Sequence, residues 1–140
     1  MSRDVRVTFF QVKSGVEKQQ HIIRLAEEYF EKKEPLIIQL ADQKALDYVD
    51  LLLWSAPADS FLPHTIQDET ARDFIVLTSF GKNPNGARSI FNLCPEPVDN
   101  KNLSFLMIYE LEDLASTRKN RSAQERYKAY KNAGYGIVSI

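Results

Sequence analysis

Short runs of β-branched and aromatic residues alternate along this chain with stretches whose apolar positions return every three or four residues. Val5, Val7, Phe9 and Phe10 form a first strand pattern. Beyond Gly15, the residues Val16, Ile22, Ile23, Ala26, Tyr29 and Phe30 recur at helical spacing in a polar background up to Lys33, and Pro35 stops the helix. Leu36-Ile37-Ile38-Gln39-Leu40 is apolar on both parities, which predicts a strand buried on both faces. Asp42 is placed to cap the next helix, whose Leu46, Val49 and Leu53 share one face. A right-handed crossover through the first helix would make the first two strands parallel neighbours.

The second half continues the alternation. Phe74 to Thr78 and Ser89 to Leu93 are strand candidates joined by the turn-rich segment Gly81 to Gly86, which is compatible with a hairpin but leaves the strand direction open. Phe105 to Tyr109 supplies a fifth strand, followed by the acidic residues Glu110, Glu112 and Asp113 and then by a basic helix. This rhythm predicts an α/β layer fold in a single domain over residues 1–140, without repeats or a linker.

Charge changes the picture at the end of the chain. Between Arg118 and Lys131 lie six basic residues and one acid, a local charge of +5, which leaves −6 on the remainder of a protein whose net charge is −1. Such asymmetry favours an anionic partner on one helix, not broad nucleic-acid binding. At 100° per residue, Arg121, Gln124, Tyr127, Lys128 and Lys131 share one arc, with Ala123, Tyr130 and Ala133 nearly opposite, available to pack on the sheet. Arg126 falls toward the packed side, where a structural ion pair is the expected role, and Gly134 supplies a left-handed residue to close the helix.

A second block, Leu53 to His64, carries Trp54 at the end of a helix and Phe61 between prolines Pro57 and Pro63. A backbone stiffened by proline can hold these aromatics toward a partner. Trp and Phe are effective anchors in a desolvated interface.

These two blocks resemble the chi subunit of bacterial DNA polymerase III holoenzyme. The resemblance rests on Leu53-Trp54 with Pro57-Ala58, Ser60-Phe61 and Pro63-His64, and on Glu125-Arg126-Tyr127-Lys128-Ala129-Tyr130 with Ala133-Gly134-Tyr135. From about Phe74 to Leu114 the similarity is one of element order only. The resemblance implies a single Rossmann-like, three-layer α/β domain with a mostly parallel central sheet of about five strands. It also implies a non-catalytic adaptor at the replication fork. The terminal helix would receive the acidic, hydrophobic-tipped C-terminal tail of single-stranded DNA-binding protein, through Tyr127 and Lys128. Trp54 and Phe61 would face either the psi subunit of the clamp loader or a helicase, and DNA would be met only indirectly. One departure stands out: the family's Arg before the Glu-Arg-Tyr-Lys run is Gln124 here. An amide offers neither charge nor a bidentate fork, so Arg121, Lys128 and Lys131 would have to neutralise the tail while Tyr127 holds its apolar tip.

Other classes find less support. No Gly-x-Gly-x-x-Gly or Walker pattern follows the first strand, and no catalytic residue, metal ligand or cofactor is assigned. Asp42, Asp47 and Asp50 do not share a tight helix face, His21 and His64 lack partners at ligand spacing, and Ser60 lacks a nucleophile-elbow sequence. Cys94 is the lone cysteine, so no internal disulfide or cysteine cage forms. No apolar run nears the roughly 20 residues that span a bilayer, and the polar start is unlike a secretory signal, so a cytoplasmic protein is expected. The alternative function is direct binding of single-stranded nucleic acid by stacking on Tyr127, Tyr130 and Tyr135 among the cations.

Overall fold

The computed structural model describes residues 4–55, 62–101 and 103–140. Seven strands form one sheet: β1 (Arg6–Val12), β2 (Leu36–Leu40), β3 (Thr65–Ile66), β4 (Ile75–Ser79), β5 (Ser89–Asn92), β6 (Met107–Asp113) and β7 (Gly136–Ser139). Three helices accompany them: α1 (Gly15–Lys32), α2 (Gln43–Ser55) and α3 (Thr117–Asn132). The strand order is β3-β4-β2-β5-β6-β1-β7, and every neighbouring pair is parallel.

The α/β class and layered architecture match expectation, but the sheet has seven strands where about five were expected. The two additional strands, β3 and β7, form the edges; β3 has only two residues and β7 is mostly exposed, so neither carries a strong alternating pattern. Strand order departs further. β1 and β2 are parallel but not neighbours, because β5 and β6 lie between them. β4 and β5 do not form a hairpin: both pair parallel with β2, one on each side. The fifth strand, expected over Phe105 to Tyr109, instead begins at Met107 and runs on through Glu110 and Glu112 to Asp113.

Local chemistry explains the helix boundaries. At the start of α1, the N-cap Ser14 hydroxyl accepts from the Glu17 amide at 3.2 Å and the Glu17 carboxylate accepts from the Lys13 amide at 2.8 Å, a variant of the capping box in which the return bond falls one residue before the cap. Asp42 caps α2 as expected, accepting from the Ala45 amide at 2.8 Å. At the end of α3, the Gly134 amide donates to the Lys131 carbonyl and the Tyr135 amide to the Tyr130 carbonyl, with Gly134 at φ 83°. This is a Schellman closure, and the stacked rings of Tyr130 and Tyr135, 6.0 Å apart, supply its hydrophobic contact. Ala133, expected on the packed side, is exposed because the chain turns away there.

Two cores flank the sheet. Ile22, Leu25, Ala26 and Tyr29 of α1 and Leu46, Val49 and Leu53 of α2 pack with Leu36, Ile38, Leu40, Leu77 and Phe91 on one face. Ala123 and Tyr130 of α3 pack with Val7, Phe9, Ile37, Ile90 and Ile108 on the other, roofed by Val98 and Phe105. The β2 strand is buried at all five positions, as a central parallel strand requires. Gly134→Ala is expected to cost about 1 kcal/mol in urea unfolding, from the left-handed backbone alone, because a Cβ there meets nothing within 4 Å.

Candidate functional site

The face that α3 presents is set by a polar row inside the sheet. Register aligns Gln39 of β2 with Asn92 of β5, and the β5–β6 register carries the row on to Glu110 of β6. Glu110 is fully buried. Its Oε1 accepts from Arg126 Nε at 2.9 Å, while its Oε2 accepts from Asn92 Nδ2 at 2.8 Å and from the Tyr130 hydroxyl. Burial pushes the Glu110 carboxyl up to about 7, against the opposing pull of the Arg126 charge and of the Tyr130 and Asn92 hydrogen bonds. Arg126 also donates to the carbonyls of Pro95 and Leu111 and to Ser122 Oγ, and the Val98 amide donates to the Tyr130 oxygen. The expected ion pair of Arg126 is therefore present, and it fixes the rotation of α3 about its axis.

With Ala123, Arg126 and Tyr130 turned inward, Arg121, Gln124, Tyr127, Lys128 and Lys131 are all exposed. Only Gln124 and Tyr127 of this set line a groove, of about 240 Å³, between α3 and the β1–β7 edge. Its other walls are Phe9, Glu112, Ala123 and Ser139. The Tyr127 ring leans on Phe9 with centroids 5.9 Å apart, while 39% of the residue stays exposed. Arg121, Lys128 and Lys131 lie outside the groove. Phe9, Glu112 and Ser139 were not legible as groove residues, because they come from three strands whose adjacency is a matter of strand order. The buried alternation Val5, Val7, Phe9 is the one signal that pointed toward this wall.

Among the three tyrosines considered for base stacking, Tyr130 is buried with its hydroxyl engaged and Tyr135 is half-buried against it. Tyr127 is thus the sole open ring of the three.

The second surface lies at the end of α2, on the opposite face of the sheet and toward the opposite edge. Trp54 is 45% exposed. Its Nε1 donates to Asp50 Oδ1 at 3.1 Å, and its ring sits 4.4 Å from that of His64. His64 is buried, with Nε2 2.9 Å from the same Asp50 oxygen and Nδ1 2.7 Å from the Leu62 carbonyl. Trp54 is therefore held by a bracket of Asp50 and His64, residues to which the sequence reading assigned no role. Phe61 and Pro57 lie outside the described residues.

Among the described residues no group of three or more His, Cys, Asp or Glu is placed to hold a metal ion. Burial pushes the Cys94 thiol up to about 12, which leaves it a neutral, unreactive group. No helix among the described residues is long and apolar enough to cross a membrane.

The family model for the DNA polymerase III chi subunit, HolC, matches residues 5–138 of the chain. DNA polymerase III subunit chi of Escherichia coli (strain K12) is 26% identical over 121 residues, covering 85% of this chain and 82% of that protein.

Removing the guanidinium that pairs with Glu110 strands a buried carboxylate. Arg126→Ala is expected to lower the unfolding free energy by about 3–5 kcal/mol in urea melts at about pH 8. Lys128→Ala, on the exposed side of the same helix, is expected to shift it by less than about 0.5 kcal/mol.

Proposed function

We propose that this chain, which belongs to the DNA polymerase III chi subunit family, is a non-catalytic adaptor. On this reading α3 receives the acidic C-terminal tail of single-stranded DNA-binding protein. The Trp54 surface docks the psi subunit of the clamp loader or a helicase. The observation that carries the proposal is the pair of exposed aromatic surfaces on opposite faces of one rigid sheet. From β2–β4 to β1–β7 is about four strand spacings, roughly 20 Å, so both partners fit at once.

The tail site follows from the chemistry of the groove. Phe9, Tyr127 and Ala123 supply an apolar slot for one hydrophobic side chain, and Gln124 supplies an amide at its rim. Glu112 also borders the slot, so the slot itself is no place for several carboxylates. The acidic groups of a bound tail therefore run along the outer side of α3, past Arg121, Lys128 and Lys131, while its tip enters beside Tyr127. An exposed array of this kind attracts by summed charge and is screened by salt. With one open ring among Tyr127, Tyr130 and Tyr135, this reading is favoured over direct stacking of nucleic-acid bases, which needs a series of rings.

A fluorescence titration with a peptide matching that tail, at low and high salt, tests the first interface. Saturable binding is expected, weakening several-fold as the Debye length falls from about 10 Å to about 3 Å. Tyr127→Ala, Arg121→Ala and Lys128→Ala should each weaken it, and Gln124→Arg should tighten it by up to about tenfold, since it restores a charge-assisted bond. Affinity indifferent to all four substitutions would refute the assignment of the tail to α3.

Trp54→Ala tests the second interface. The variant is expected to unfold cooperatively like the parent while its affinity for a purified psi subunit or helicase partner falls by more than about tenfold. Loss of the fold itself would instead make Trp54 a structural residue.

A further inference from the structure

A cavity larger than the α3 groove lies on neither of these surfaces. It has a volume of about 430 Å³ and opens at the carboxyl edge of the sheet, beyond the last residues of β5 and β6. We infer that this crevice is a binding site for a small phosphate ester of the nucleotide class.

Topology creates the crevice. β1 and β6 are parallel neighbours, yet α1 leaves the end of β1 toward β2, and α3 leaves the end of β6 toward β7. The two helices consequently pack on opposite faces, as their membership of different cores shows. Where helices diverge in this way the strand ends between them stay uncovered, the general location of ligand sites in open parallel sheets.

The lining suits a ligand with one anionic end and one flat, apolar part. Lys18 of α1 and Arg118 and Lys119 of α3 converge on the cavity, whose other walls include Leu93, Pro95 and Leu111. Asp113 is the single carboxylate among the lining residues; its Oδ1 accepts from the Ala115 amide at 3.0 Å, and its one ion pair among the described residues is the long contact to Lys119, at 4.0 Å. The side chains of Lys18 and Arg118 make no hydrogen bond or ion pair among the described residues, although the Lys18 backbone amide donates to the Ser14 carbonyl within the first turn of α1. Arg126 also borders the cavity, but its charge is taken up by Glu110. Partial burial lowers the Lys18 pKa, and the facing charge of Lys119 lowers it further against the pull of Asp113. Cations held this close repel one another, and an anion between them relieves that repulsion. Ser14 and Ser116 cap the first turns of α1 and α3, so the positive charge at the cavity comes from side chains.

The polar lining narrows the ligand further. Asn92 spends its amide on Glu96, Glu110, Gln39 and the Cys94 amide, and the Ser122 hydroxyl is engaged with Pro95 and Arg126. Neither group is free to pair with a peptide backbone or to select a base. Recognition therefore rests on the phosphate charge and on contact of a flat face with the apolar wall. The site falls within the range of about 300–1,000 Å³ typical of small-molecule pockets.

Isothermal titration calorimetry of the full chain at low salt, with deoxyadenosine monophosphate, deoxyadenosine and inorganic phosphate in turn, tests the inference. The monophosphate should bind saturably, and each of the other two at least about tenfold more weakly, a difference near 1.4 kcal/mol. Lys18→Ala and Arg118→Ala, whose side chains are partly or fully exposed, should each weaken the monophosphate at least about fivefold, as loss of a charge-assisted contact does. Tyr127→Ala, in the separate groove, should leave it unchanged. Absence of saturable binding, indifference to both cavity variants, or equal affinity for inorganic phosphate would overturn the inference. So would displacement of the nucleotide by an acidic peptide with the same dependence on Lys18 and Arg118, which would make the crevice a peptide receptor.

Discussion

Glu110 carries a carboxylate into the middle of a seven-stranded sheet, and the orientation of α3 follows from the need to compensate it. An isolated carboxylate at zero exposure is costly. Arg126, Asn92 and Tyr130 together satisfy both of its oxygens. Two of those three donors belong to α3, so the helix cannot rotate or slide without leaving the charge unpaired. A buried ion pair of this kind contributes little net stability over an apolar replacement, but it penalises every alternative register strongly. The whole outward face of α3, including Tyr127 and its neighbouring cations, inherits its position from that constraint.

The same pairing alters what the charge of the helix means. Six basic residues in fourteen positions look like one patch, but the fold divides them. Arg126 is consumed inside the protein, and Arg118 and Lys119 face the carboxyl-edge crevice. Arg121, Lys128 and Lys131 remain on the exposed side. A single helix thus presents two separate sets of cations, one at the crevice and one on its outer side. Net charge along a sequence sets the sign of the attraction, while the choice of binding site depends on which cations remain unpaired after folding.

A parallel sheet buried on both faces also serves as a spacer. The α1 and α2 layer covers one side and α3 the other, so the Trp54 bracket and the α3 groove share no residues and sit behind different cores. Trp54 is braced by Asp50 and His64 within its own corner of the fold, just as Tyr127 is braced by Phe9 within the other. Each of these two rings is carried by a helix instead of a free loop, which restricts its conformational freedom.

Much of the local structure was legible in the sequence. The extent of α1, the doubly buried β2, the Asp42 cap, the inward turn of Arg126 and the left-handed Gly134 were all readable, because each depends on residues within a turn or two of one another. The polar Glu110 and Glu112 disguised the second half of β6, since a charge normally marks a solvated position and the donors that make the burial of Glu110 possible, Arg126, Tyr130 and Asn92, lie sixteen to twenty residues away along the chain. Strand order was not legible: β1 lies beside β6 and β7, not β2, and β4 and β5 flank β2 without forming a hairpin. Hydrophobic periodicity determines which face of an element is buried, but many orders of parallel strands bury the same faces equally well. The sequence by itself determined the three helices, five of the seven strands, most of their inner faces and the family. Long-range pairing decided which walls meet at the groove, the Trp54 bracket and the carboxyl-edge crevice, because each brings together side chains from elements that no local pattern connects.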